Sequence, residues 1–256
     1  MENTIPFFVS DHSIGESILT VDDESEINTN KPVSIVAISE TYALPVTYVV
    51  ERGMSSYWKL YSAFAKRPKS KLAFGVKIDI CANPTAEEKT DVSSLIIFLK
   101  NTQGYYDMIK MYSAASLRNK SKTPLLSWEM LTEFMTPNLT VVVPFYSGFL
   151  ARNTLKLNCS ILPNFGTIQP IFAIEGHDIP FDTVIESITQ SYCKKHNYQT
   201  LNTHHIYYYR SSHVSAHQAF LCIGRRTHLE KPNLESYCSD QFSFESYLQR
   251  GGEVLK

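Results

Sequence analysis

Short apolar runs alternate with amphipathic segments along most of this chain. The runs predict strands over residues 7–9, 33–38, 72–80, 94–99, 139–143, 171–174 and 199–202, with a further one at 206–209. Helical spacing predicts helices over 47–66, 104–117, 127–135, 181–196, 215–224 and 243–250. Apolar strands between helices argue βα units and a mostly parallel sheet. The fold class is therefore α/β, a distorted (β/α)7-type barrel. In the helix over 104–117, Tyr105, Met108, Ile109 and Tyr112 are spaced for one buried face. Residues 82–90 form a polar connector, and Asp22-Asp23-Glu24-Ser25-Glu26 reads as a solvated acidic loop.

At 256 residues the chain can bury one substantial core, so one domain over 1–256 is expected. A net charge of −1 gives no global pull toward nucleic acid or membrane. The five cysteines are scattered, without a Cys-x-x-Cys pair, as in an intracellular protein with reduced thiols. The N-terminus lacks the regions of a signal peptide, and no apolar run approaches the roughly 20 residues that span a bilayer. A cytoplasmic location with no membrane contact is the expectation.

The segment from Leu95 to Ser116 is the most informative. It resembles the "LLAKNxxGYxNLxKLxS" stretch of the PHP (polymerase and histidinol phosphatase) domain of bacterial replicative DNA polymerase III alpha subunits. Other segments follow in the same order. Phe8 to Leu19 resembles "FVHLHVHSxYSLLDG", and Pro32 to Leu44 resembles "MPALALTDHGNLFG". Tyr57 to Asp79 resembles "FYxxAxxxGIKPIIGxExYV", and Gln199 to Tyr208 resembles "PVVATNDVHYL". Ser215 to Gly224 is similar to "xEAHDVLLCIGTG", and Tyr237 to Tyr247 to the stretch that closes the domain. The resemblance implies a PHP-like domain without the polymerase palm, fingers and thumb.

A PHP site gathers imidazoles, carboxylates and a thiolate around two or three metal ions. The metals acidify a water that attacks a phosphate ester. Carried over residue by residue, most of those ligands are replaced. The first His-x-His is Ser10-Asp11-His12. The "TDH" triplet is Ser39-Glu40-Thr41. The Glu after the "IIG" strand is Lys77, whose charge repels a metal. The His before the "LVLLAKN" strand is Ser94. The final Asp-x-His is Thr203-His204-His205. His12, Glu40 and His205 remain as a weak candidate metal set, with zinc or manganese as its ion. The main expectation is no cofactor and no catalytic residue, with Lys77 inside the former pocket pairing with Glu40 or Asp11.

Other clusters have plainer readings. His204 and His205 are adjacent in a strand, point to opposite faces and cannot chelate one ion together; one buried and one exposed ring is expected. His217 reads as structural. Lys66-Arg67-Pro68-Lys69-Ser70-Lys71 could touch a nucleic-acid backbone weakly, although a solvated loop is the plainer reading. There is no Gly-x-Ser-x-Gly elbow, no phosphate loop and no polymerase Asp-x-Asp.

The leading expectation is a catalytically inactive PHP-like scaffold in DNA replication. Its partners would be the polymerase catalytic region or the proofreading exonuclease subunit. The alternatives are a metal-dependent phosphoesterase or 3'-5' exonuclease using His12, Glu40, His204 and His205, and a phage protein that mimics the domain to capture a host replication protein.

Overall fold

The structure is a computed structural model, and it describes residues 4–24, 26–28, 30–86, 92–118, 123–156, 163, 165–226 and 239–252. The first half of the chain runs β1 (Ile5–Phe8), α1 (Ile35–Thr41), β2 (Val46–Glu51), α2 (Tyr57–Ala65), β3 (Lys71–Cys81), β4 (Ser93–Leu99) and α3 (Thr102–Leu117). The second half runs β5 (Leu125–Ser127), α4 (Trp128–Phe134), β6 (Leu139–Val143), α5 (Phe149–Lys156), β7 (Ile171–Ile174), α6 (Asp182–His196), β8 (Gln199–Ile206), α7 (Val214–Arg225) and α8 (Phe244–Gln249). The strands hydrogen-bond in the order β2-β1-β8-β7-β6-β4-β3-β5, and β2 also pairs with β3. This is the (β/α) barrel topology expected of the α/β class. No described helix is long and apolar enough to cross a membrane.

The described residues fall into two compact units. The first comprises Met1–Phe74, Glu175–Asp182 and Asn202–Lys256. Here β1 pairs in parallel with both β2 and β8. Its register sets Ile5 against Thr203 and Phe7 against His205. Phe7, Phe8, Val49, Val50 and Ile206 are buried, as a strand covered on both faces requires. Helix α7 crosses close to the loop after β1. A Cβ on Gly224 would come within 2.5 Å of the Gly15 Cα, so only glycine fits there. The same approach seats His217, whose Nε2 lies 2.7 Å from the Glu16 carbonyl and whose ring stacks on Tyr207. His217 thus ties α7 to the loop after β1.

The second unit comprises Gly75–Ile174 and Thr183–Leu201. Strand β4 runs antiparallel to both β3 and β6, while β3–β5 and β6–β7 are parallel. The sheet is thus mixed, with β4 reversed. Asn101 caps α3 by accepting from the Gly104 N–H at 2.9 Å. A Cβ on Gly104 would lie 2.5 Å from the Asn138 carbonyl oxygen. Asn101 and Gly104 thus supply a cap and a close contact between helix and loop. Asp107 completes the joint, accepting from Gln103, Thr136 and Asn138.

Several sequence expectations are corrected. Residues 33–38 are not a strand: Ile35 to Ser39 are buried in α1, which Ser34 caps through the Val36 N–H. A helix apolar all round shows no periodicity and reads like a buried strand. The helix expected over 47–66 is β2 followed by α2. The buried face of α3 is Gly104, Asp107, Met108, Met111 and Ala115, while Ile109 is exposed. The strand expected over 199–202 continues through Ile206 as β8, and 207–209 lie beyond it. Strand β5 and helix α5 were not foreseen.

Candidate functional site

The densest polar cluster of the first unit surrounds Glu175, the residue that follows β7. Its side chain is fully buried and all its partners donate. Oε1 receives the His205 Nδ1–H at 2.6 Å and the Thr203 hydroxyl at 3.0 Å. Oε2 receives the His177 Nε2–H at 2.8 Å and the His205 backbone N–H at 3.3 Å. An ionised carboxylate only accepts, so these contacts assign the protons to His205 Nδ1 and His177 Nε2. Burial alone would raise the Glu175 pKa. Attraction to His205 and the hydrogen bonds from His177 and His205 outweigh it and hold the carboxyl well below its usual range.

His177 is locked on its other side, with Nδ1 3.3 Å from the Gln241 carbonyl and its ring stacked on Phe242. His204 lies against His177 at 4.4 Å between ring centroids, and its buried Nε2 has no hydrogen-bond partner. Burial, and then the neighbouring His177, push the His204 pKa down to about 3. A cavity of about 400 Å³ is lined by Asp178, Val214, Gln218, Ser239, Asp240 and Gln241.

A second buried carboxylate, Glu51, ends β2. Its Oε1 accepts from Ser10 Oγ at 2.5 Å and from the Ser10 N–H at 3.2 Å. Its Oε2 accepts from Ser13 Oγ at 2.5 Å. Burial raises the Glu51 pKa and prevails over these bonds and the field of His12.

The structure places the residues foreseen from sequence as follows. Ser10 is buried against Glu51. His12 is exposed, and its backbone N–H donates to Ser10 Oγ. Glu40 and Thr41 end α1 at the surface, where Glu40 pairs with Arg67 at 2.7 Å. Glu40 is therefore no member of a buried site, and its partner is Arg67 rather than Lys77. Lys77 is half-buried in β3 opposite Ile96. Ser94 donates to Asp79 Oδ1 at 2.7 Å. Thr203 and His205 meet on Glu175. His204 and His205 are both buried, which corrects the expected buried-and-exposed pair.

No protein-family model matches the chain, and no curated protein does. Among solved structures, it is similar to a crystal structure described as a "putative metal-dependent phosphoesterase" from Bifidobacterium adolescentis. The two share 10% identity with a TM-score of 0.43, over 79% of this chain and 88% of that one. A likeness this distant carries no chemistry.

Sequence reasoning missed Glu175, His177 and Glu51. Glu51 gave no signal, because an acid closing a buried strand is unremarkable until Ser10 and Ser13 lie against it. Glu175 and His177 gave no signal, because an acid and an imidazole after a four-residue strand are unremarkable until β8 lies beside them.

The buried groups do not fit a two- or three-metal centre. Both Glu175 oxygens and both Glu51 oxygens are engaged by protein donors. Among the described residues no three His, Cys, Asp or Glu side chains are arranged to hold a metal.

Glu51 yields a test. Its raised folded pKa means that its stability contribution is fullest below the unfolded value and is lost as pH rises through the folded one. Glu51→Gln removes that loss while keeping the shape. At pH 7 it should leave stability within about 1 kcal/mol of the parent. A loss of 3 kcal/mol in urea unfolding would mean that the charge itself is required.

Proposed function

We propose that this chain is a PHP-like domain that acts as a metal-free scaffold in DNA replication, with the polymerase catalytic region or the proofreading exonuclease subunit as partner. The observation that carries this reading is the saturation of Glu175. A carboxylate that accepts from two imidazoles, a hydroxyl and a backbone N–H has no lone pair directed at a metal. The cluster stabilises the strand ends instead, and binding is left to the surface. The partner assignment rests on the resemblance of the Leu95–Ser116 and Ser215–Gly224 segments.

One observation favours a second reading, a metal-dependent phosphoesterase. His205 has its Nδ1–H fixed by Glu175, and its Nε2 makes no hydrogen bond among the described residues. Metal-binding imidazoles are commonly oriented in this way by a carboxylate. That reading requires further ligands from outside the described residues.

The purified chain separates the two. Elemental analysis should find no stoichiometric zinc or manganese. Hydrolysis of a phosphate ester or of a DNA 3' end with added manganese should not exceed the blank, in parent or in His205→Ala. Co-purification with a polymerase or exonuclease subunit should survive in that variant. Manganese-dependent hydrolysis that disappears in His205→Ala would establish the phosphoesterase and end the scaffold reading.

A further inference from the structure

Helix α2 turns Leu60, Ala63 and Phe64 inward. Its other side presents large aromatic rings to solvent: Trp58 is 72% exposed and Tyr61 50%. Tyr57, Trp58 and Tyr61 stand three and four positions apart and so form one stripe. The rings lie nearly parallel. Trp58 and Tyr61 are 5.9 Å apart at 26°, and Tyr57 and Tyr61 are 5.8 Å apart at 21°. Phe74 supports Tyr57 from the core side at 5.1 Å. An exposed tryptophan held in a stack of parallel rings is a preformed flat platform.

The segment that carries this platform is charged with one sign. From Tyr57 to Lys71 the chain carries Lys59, Lys66, Arg67, Lys69 and Lys71 and no Asp or Glu. Three of these are held by acids from other segments. Lys59 pairs with Asp22 at 2.6 Å, Lys66 with Asp23 at 2.6 Å, and Arg67 with Asp23 and Glu40. Lys69 and Lys71 are exposed and outside every ion pair among the described residues. Pro68 follows the end of the helix, with Lys69 in the turn after it and Lys71 opening β3.

We propose that the outward face of α2 and the basic run after it dock single-stranded nucleic acid, with bases stacking on Trp58 and Tyr61 and phosphates meeting Lys69 and Lys71. Each element supplies one half of that chemistry. Every base has a π face, so a ring platform binds unpaired strands with little sequence preference. Lysines neutralise phosphates and release counterions. The exposed lysines beside the rings favour nucleic acid over a protein partner, because lysine is depleted from the centres of protein interfaces even where Trp and Tyr are enriched. The site is separate from the Glu175 cluster and stands whichever reading of that cluster holds.

The test uses the full chain and a fluorescein-labelled 20-residue oligo(dT), followed by anisotropy at low salt. Binding should quench tryptophan emission, since Trp58 is one of only two tryptophans and is open to solvent. Trp58→Ala and Tyr61→Ala should each weaken binding about tenfold. Lys69→Gln combined with Lys71→Gln should lower the slope of log affinity against log salt by about 1.4. A duplex of the same length should bind more weakly. These positions are exposed, so circular dichroism of each variant should match the parent. The proposal is overturned if oligo(dT) does not bind, or if it binds with unchanged affinity after both ring substitutions. It is equally overturned if those substitutions abolish only the capture of a protein.

Discussion

Lowering the pH from 6.5 to 4.5 should remove about 2 kcal/mol of unfolding stability, chiefly through His204. This histidine is buried in the first unit, and its pKa is pushed down to about 3 from 6.5. Between those two values the unfolded chain takes up a proton that the folded chain refuses. Stability rises with pH wherever the unfolded state holds more protons, so the contribution present above pH 6.5 is lost as pH falls toward 3. His213 is lowered in the same direction by burial and by Arg210, and adds to the trend. Glu51 opposes it, because a raised carboxyl pKa favours the folded state as pH falls. The effect is read from urea unfolding at several pH values. In His204→Leu the slope between pH 6.5 and 4.5 should largely vanish, even if the variant is less stable throughout. An unchanged slope in that variant would show that His204 is protonated in the folded chain.

Glu175→Ala should be the most damaging single change in the Glu175 cluster, costing about 3–5 kcal/mol. The substitution strands the Thr203 hydroxyl, the His205 ring and backbone N–H groups and the His177 ring in a buried site. It also leaves two imidazoles facing one another's field. Glu175→Gln keeps the volume but directs an amide N–H at groups that themselves donate, so it should lose less than alanine and more than Glu51→Gln. The pH signature differs from that of His204. The Glu175 carboxyl is depressed, so its contribution is complete above about pH 4.5 and is lost as pH falls through the folded value. Chemical unfolding at pH 7 gives the magnitude. A cost below 1 kcal/mol for Glu175→Ala would mean that the buried network is not what holds β8 against the residues after β7.

How much of this was legible beforehand follows from the physics of each element. Strands β6 and β7 were read to the residue, since short apolar runs between turn signals are what a buried strand requires. Helix α3 was legible from its amphipathic spacing, although it starts at Thr102, two residues before the expected 104. Helix α1 was not legible, because burial on all sides erases the helical period and leaves a run of Ile, Val and Ala that suits a strand equally. The sequence by itself determined the α/β class. Only the tertiary structure decided what Ser10, Thr203 and His205 do. Register with β1 brings Thr203 and His205 into place, and the turn after β7 brings Glu175 and His177 to them. Hydrogen bonds between residues nearly thirty positions apart leave no periodic trace in a chain, and the state of a buried carboxylate depends on those partners alone.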